Sequence, residues 1–229
     1  MPAFKQQTIV DFVTAESASA TQQQLQVVHN GRGFCEEANV KILETYVAEQ
    51  VKNSSVDIDA NLALLKLYQI YPVTANAEKT ATVLVKGVMS LPSTFFTGAS
   101  TMVPENTRED TNVAAVLNAG FLLQSCLFED FWKADMTFAE KVPGFVESVR
   151  AYILGAISRS HNAIATDVFK AKLNMSDKEV ADIVAAEKWT VESNLIQISP
   201  NEGNQMQAKK IQENIEFEDV LKVIHTLSR

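Results

Sequence analysis

Apolar residues recur at helical spacing along most of this chain. From Glu36 onward Val40, Leu43, Val47 and Val51 follow a 3-4-4 rhythm, Tyr46 widens the stripe, and Glu36 and Glu37 fall where a first turn favours acids, so an amphipathic helix is predicted. The next stretch, "ANLALLKLYQIYP" at 60–72, is apolar almost all the way round. Such a helix must be covered on several sides, because water cannot solvate a full circle of leucines. Asp57 or Asp59 supplies its N-cap, and Pro72 disfavours helical geometry at Tyr71.

Helices continue beyond it. Leu84, Val85, Val88 and Met89 share one side of the following segment, and Pro92 suits the first turn of another. Val113, Val116, Leu117, Phe121 and Leu123 converge in the next, and Phe128, Phe131 and Trp132 form an aromatic cluster after it. Short connectors predict antiparallel helix pairs stacked into a small superhelix, where an inner helix is covered by its partner and by the pairs on both sides. Other helices, not a ligand, are the expected cover for residues 60–71. The N-terminus breaks the rhythm: residues 15–35 are rich in Ala, Ser, Thr and Gln, end in "HNGRGF", and read as an irregular connector.

After "KVPG" at 141–144 the pattern changes. Phe145, Val149, Tyr152, Ile153, Ala156 and Ile157 mark one helix, "TDVFKAKLN" a second and "SDKEVADIVAAEKW" a third, opened by a Ser176–Glu179 capping box. "WTVESNLIQIS" then reads as a hairpin with Leu195, Ile196 and Ile198 as its apolar set. Three helices followed by a short hairpin is the winged-helix order. Phe217, Val220, Leu221, Ile224 and Leu227 predict a terminal amphipathic helix.

Composition supports this mostly α reading, since eight glycines and six prolines in 229 residues leave few breakers for a sandwich or barrel. A net charge of −8, split as −6 before residue 143 and −2 after it, argues against general affinity for nucleic acid or anionic membrane. The third helix of the second half carries Asp177, Glu179, Asp182 and Glu187 against Lys178 and Lys188, so it would meet DNA phosphates with net repulsion. Lys209 and Lys210 near the wing are the candidates for a weak RNA contact. No stretch approaches a membrane span, and Gln6, Gln7 and Asp11 interrupt any secretory leader. Two cysteines, Cys35 and Cys126, fit a reduced interior.

Candidate chemistry is thin. His29, His161 and His225 are scattered, the two cysteines lack basic neighbours, "HNGRG" has no lysine to make it a phosphate loop, and paired acids sit at helix starts where the dipole accounts for them. Neither catalysis nor a cofactor is expected, and a protein-binding module is the surviving reading. Its candidate docking residues are Leu195, Ile196 and Ile198, on an exposed hairpin edge expected at 193–199, and Val220, Leu221, Ile224 and Leu227 on the terminal helix.

Four segments carry a family likeness: "ANLALLKLYQIYP" at 60–72, "SLPSTFFT" at 90–97, "GFVESVRAYI" at 144–153 and "ENIEFEDV" at 213–220. In order and spacing they resemble the subunit k family of eukaryotic translation initiation factor 3, over about residues 36–225. The resemblance implies a HEAT-like helical domain at 36–142, a winged-helix domain with a small β-hairpin and C-terminal helix at 143–229, and a variable segment at 1–35. It also implies a non-catalytic cytoplasmic scaffold that pairs with subunit l and meets the small ribosomal subunit through the complex. The proteasome lid and the COP9 signalosome have scaffold subunits of the same arrangement. A nucleic-acid-binding winged-helix protein, or a scaffold subunit of a related proteasome-lid or signalosome-type complex, is the alternative.

Overall fold

The computed structural model describes residues 4, 6–15, 18–31, 35–205 and 216–227. The chain is mostly helical. Its first half contains β1 (Thr8–Ile9), α1 (Ala20–Asn30), α2 (Asn39–Lys52), β2 (Ser55–Val56), α3 (Ile58–Ile70), α4 (Ala77–Met89), α5 (Phe95–Thr101), α6 (Glu105–Arg108), α7 (Thr111–Gln124) and α8 (Phe128–Lys133). The second half contains α9 (Phe145–Ser160), β3 (Ala163–Ala165), α10 (Thr166–Leu173), α11 (Asp177–Ala186), β4 (Thr190–Glu192), β5 (Leu195–Gln197) and α12 (Phe217–Leu227).

Local chemistry sets many of these limits. Asp57 caps α3 by accepting from the Ala60 N–H, Asn76 caps α4, and Asp110 caps α7, each relieving N–H groups that have no partner inside their helix. Tyr71 closes α3 ahead of Pro72. Pro92 does not open a helix as the sequence predicted: the Leu91–Pro92 bond is cis and α5 begins only at Phe95. Likewise α2 starts at Asn39, so Glu36 and Glu37 lie in the turns before it.

Helices pack as neighbours along the chain, α1 on α2, α2 on α3, α4 on α5 and α7 on α8. The most enclosed helix is α4, which meets α2, α5, α6, α7 and α9 and buries every residue from Val83 to Met89. The stretch at 60–72 is less enclosed than its composition predicts. Ala60, Leu64, Leu65, Leu67 and Tyr68 are buried against other helices, while Lys66, Gln69 and Ile70 face solvent. Phe121, expected inside, is half exposed and stands edge-on to the buried Phe96 ring.

The larger correction concerns residues 15–35. They do not form an irregular connector, because Ala20–Asn30 is helical and is opened by a Ser19–Gln22 capping box. Its apolar stripe is too sparse to read, since Leu25 is its only buried residue. Polar contacts hold it instead: Gln22 donates to the Tyr46 hydroxyl at 2.9 Å, Gln26 to the Phe12 carbonyl at 2.7 Å, and Thr21 to Glu49. Ahead of it β1 pairs in parallel with β2, and Phe12 is buried in the core.

The two halves share an interface. Helix α9 packs on α4, α10 on α8, and the Trp132 indole N–H donates to the Lys172 carbonyl at 2.8 Å.

Candidate partner-docking surface

In the second half the order is helix, strand, two helices, then two strands, with the three strands arranged β3-β5-β4 and antiparallel throughout. This is a winged-helix arrangement. Strand β3 was not visible in the sequence, because "AIA" is too short to show alternation. Its pairing decides the geometry of the candidate site.

Strand β5 is the middle strand, so 193–199 is not the exposed edge that the sequence predicted. Ile196 stands opposite Ile164 on one side and Val191 on the other, and it is fully buried. Side chains directly opposite share a face, which makes Ile164, Ile196 and Val191 one apolar row, buried at Ile164 and Ile196. Ile198 is also buried, and its N–H donates to the Asn162 carbonyl at 2.9 Å. Leu195, one residue out of phase, lies on the opposite face and is 45% exposed. The outer strand β4 exposes all three of its residues and pairs only with β5 among the described residues, leaving Val191 55% exposed at the rim.

Helix α12 carries the other predicted docking residues. Phe217, Val220, Leu221, Ile224 and Leu227 recur along one stripe, yet each is exposed, from 40% at Val220 to 82% at Leu227. A stripe of this kind is stable in water only at a cost of about 25 cal/mol for each Å² of apolar surface left uncovered. The preceding residues 206–215, with Lys209 and Lys210, lie outside the described residues.

Helix α11 turns Val180, Ile183 and Val184 inward and presents Asp177, Lys178, Glu179 and Asp182 to solvent. Ser176 donates to Glu179 from both its backbone and its hydroxyl, which holds the Glu179 carboxyl below its usual range and keeps it charged. Arg150 lies 3.8 Å from Glu179, and Lys170 pairs with Asp177 at 2.5 Å. The surface that would face DNA in a reading helix is therefore net acidic, with Asp177, Glu179 and Asp182 against Lys178.

The scattered histidines stay apart. His29 packs edge-on against Phe12, His161 lies beside Ser160, and His225 is on α12. Among the described residues no cluster of three or more His, Cys, Asp or Glu is placed to hold a metal, and no helix is long and apolar enough to cross a membrane. Cys35 and Cys126 are free and exposed.

Comparison with known proteins gives this arrangement a lineage. Residues 74–210, from the end of the turn after α3 to beyond β5, match the CSN8/PSMD8/EIF3K family. The chain belongs to that family. Among its relatives, eukaryotic translation initiation factor 3 subunit K of Drosophila grimshawi is 30% identical over 204 residues, covering 86% of this chain and 92% of the relative. The human protein of that name is 32% identical over 191 residues, covering 81% and 87%. The part matched to the CSN8/PSMD8/EIF3K family takes in the whole three-stranded sheet and the central helix α4, and stops short of α12.

Proposed function

We propose that this chain is a non-catalytic scaffold subunit of eukaryotic translation initiation factor 3. It pairs with other subunits of the cytoplasmic complex, subunit l in particular, and reaches the small ribosomal subunit through them. Support comes from relatives that carry the name of subunit K along most of both chains. The single observation that carries a docking role is α12, a strongly amphipathic helix whose apolar stripe is in solvent. Exposed apolar stripes of this kind mark surfaces that are covered in an assembly.

Docking on this reading uses Val220, Leu221, Ile224 and Leu227, with Leu195 and the rim of β4 as a second contact. Ile196 and Ile198 act from beneath, by holding β5 in place. The helical unit at 36–142 and the winged-helix unit from 143 onward divide the labour: the first is frame and the second is contact surface. Affinity purification of the tagged full chain, followed by mass spectrometry, tests the reading. Recovery of initiation-factor subunits, with subunit l among the most abundant, is expected. Recovery of proteasome-lid or signalosome subunits instead would reassign the complex, and recovery of neither would remove the scaffold reading.

A further inference from the structure

Two buried polar atoms among the described residues have no hydrogen-bond partner, the Gln7 Oε1 and the Ser148 Oγ. Both belong to residues that line one small cavity of about 30 Å³, walled also by Ser54 and Met89 and bordered by the exposed residues Gln6, Pro143, Gly144 and Glu147, so that it is partly open to solvent. Three parts of the chain meet there: the N-terminal segment, the helical stack through Ser54 and Met89, and the start of α9.

The orientation of the Gln7 amide is fixed by chemistry. Its Nε2 lies 2.9 Å from the Lys86 carbonyl, which can only accept, so the nitrogen must be on that side; the same nitrogen lies 2.6 Å from the Ser90 hydroxyl. The oxygen is therefore on the other arm. Ser148 is unusual in a different way. Ser160 and Thr82 satisfy their hydroxyls by donating back to the carbonyl four residues earlier, but the Ser148 hydroxyl, on a residue only 4% exposed, does not. A buried polar atom left without a partner keeps its full desolvation penalty, so two beside one cavity call for a common partner.

We propose that this cavity is a built water site, in which one ordered water bridges Gln7 Oε1 and Ser148 Oγ. A water needs roughly 10 to 15 Å³ of space and two to four polar neighbours. The volume is enough for at least one water. The water donates to the Gln7 carbonyl oxygen, which has no hydrogen of its own to give, and exchanges a second hydrogen bond with the Ser148 hydroxyl, which serves as either donor or acceptor. Through it the N-terminal segment, already bonded to α4 by the Gln7 amide, is tied to α9, and the two halves of the molecule are linked across a hydrated joint.

The sign of one substitution tests this. If water bridges the pair, Ser148→Ala strands the water and the Gln7 oxygen, and the melting midpoint of the full chain falls by about 2 to 4 °C. If the cavity is dry, the same change deletes an unpaired hydroxyl and the midpoint rises or stays where it is, which overturns the proposal. Gln7→Met is expected to lower the midpoint as well, and the double variant to fall short of the sum of the two, because either change alone removes the bridge. Solvent density between the two side chains in a high-resolution crystal structure of the full chain is the direct observation. A direct Gln7–Ser148 hydrogen bond there would equally overturn the water site.

Discussion

The backbone N–H of Phe12 donates to the Asp57 Oδ2 at 2.8 Å, joining the N-terminal segment to the cap of α3. The same oxygen accepts from the Tyr46 hydroxyl at 3.0 Å, and Oδ1 accepts from the Ala60 N–H at 3.0 Å. One buried carboxylate thus ties three parts of the fold together. Burial pushes its pKa up, and the two backbone N–H groups and the tyrosine hydroxyl oppose that rise. Replacing it with Ala leaves those three donors facing a dry cavity. Asp57→Ala is expected to cost about 3 kcal/mol or more in urea unfolding. A loss below about 1 kcal/mol would show that the segment before α1 contributes little to stability.

Lys86 is fully buried in α4, and its ammonium donates to the Gln50 carbonyl at 3.1 Å. Desolvation pulls its pKa from 10.5 down to about 8. Below pH 8 the folded protein bears the cost of a buried charge, about 3 kcal/mol. Between pH 8 and 10.5 the unfolded chain keeps a proton that the folded chain has lost, so rising pH stabilises the fold through this group. Lys86→Met is expected to be more stable than wild type at pH 7, with an advantage that shrinks as the pH approaches 10. Urea midpoints of the two proteins, compared pH by pH, cancel the tyrosine titrations and check the sign.

Gly120 in α7 lies against the ring of buried Phe96, so that a Cβ built on it would fall within the ring atoms. Alanine is the better helix former by about 1 kcal/mol, but overpacking a core costs about 1 to 3 kcal/mol. Gly120→Ala is therefore expected to destabilise, and Phe96→Leu in the same chain to recover part of the loss. A Gly120→Ala protein that melts above wild type would show that the ring yields freely.

Leu221 and Ile224 on α12 touch water in the isolated chain. Leu221→Asp with Ile224→Asp is expected to leave the melting midpoint within a degree or two of wild type while reducing recovery of partner subunits in a pull-down at least tenfold. Undiminished recovery would place the contact on the helical stack or on the β4 rim.

Duplex DNA is expected to bind no more tightly than about 10⁻⁴ M at physiological salt, the weak end of non-specific affinity, because the outward side of α11 is acidic. Fluorescence anisotropy with added salt checks it. Submicromolar binding, lost on replacing Lys178 and Lys188, would reverse the charge reasoning.

Elements with a local rule behind them were legible from the residues alone. A cap at Asp57 or Asp59, Pro72 as a stop, the Ser176–Glu179 box and the stripe of α12 each depend on spacing within a few residues, so the sequence determined them together with the mostly helical class and the family, and the structure chose Asp57 as the cap. What the sequence could not determine depends on residues far apart in the chain. Helix α1 is held by Tyr46, Glu49 and Phe12, none of them its own residues. Strand β3 exists because β5 offers it a ladder, and that pairing moves Ile196 from a supposed edge into the core, since neighbouring side chains on a strand point to opposite faces. Tertiary structure likewise decided that α4, and not the more apolar α3, is the enclosed helix: burial depends on how many elements surround a helix, and a buried Lys86 with a single carbonyl partner is tolerated only because the rest of α4 is packed on every side.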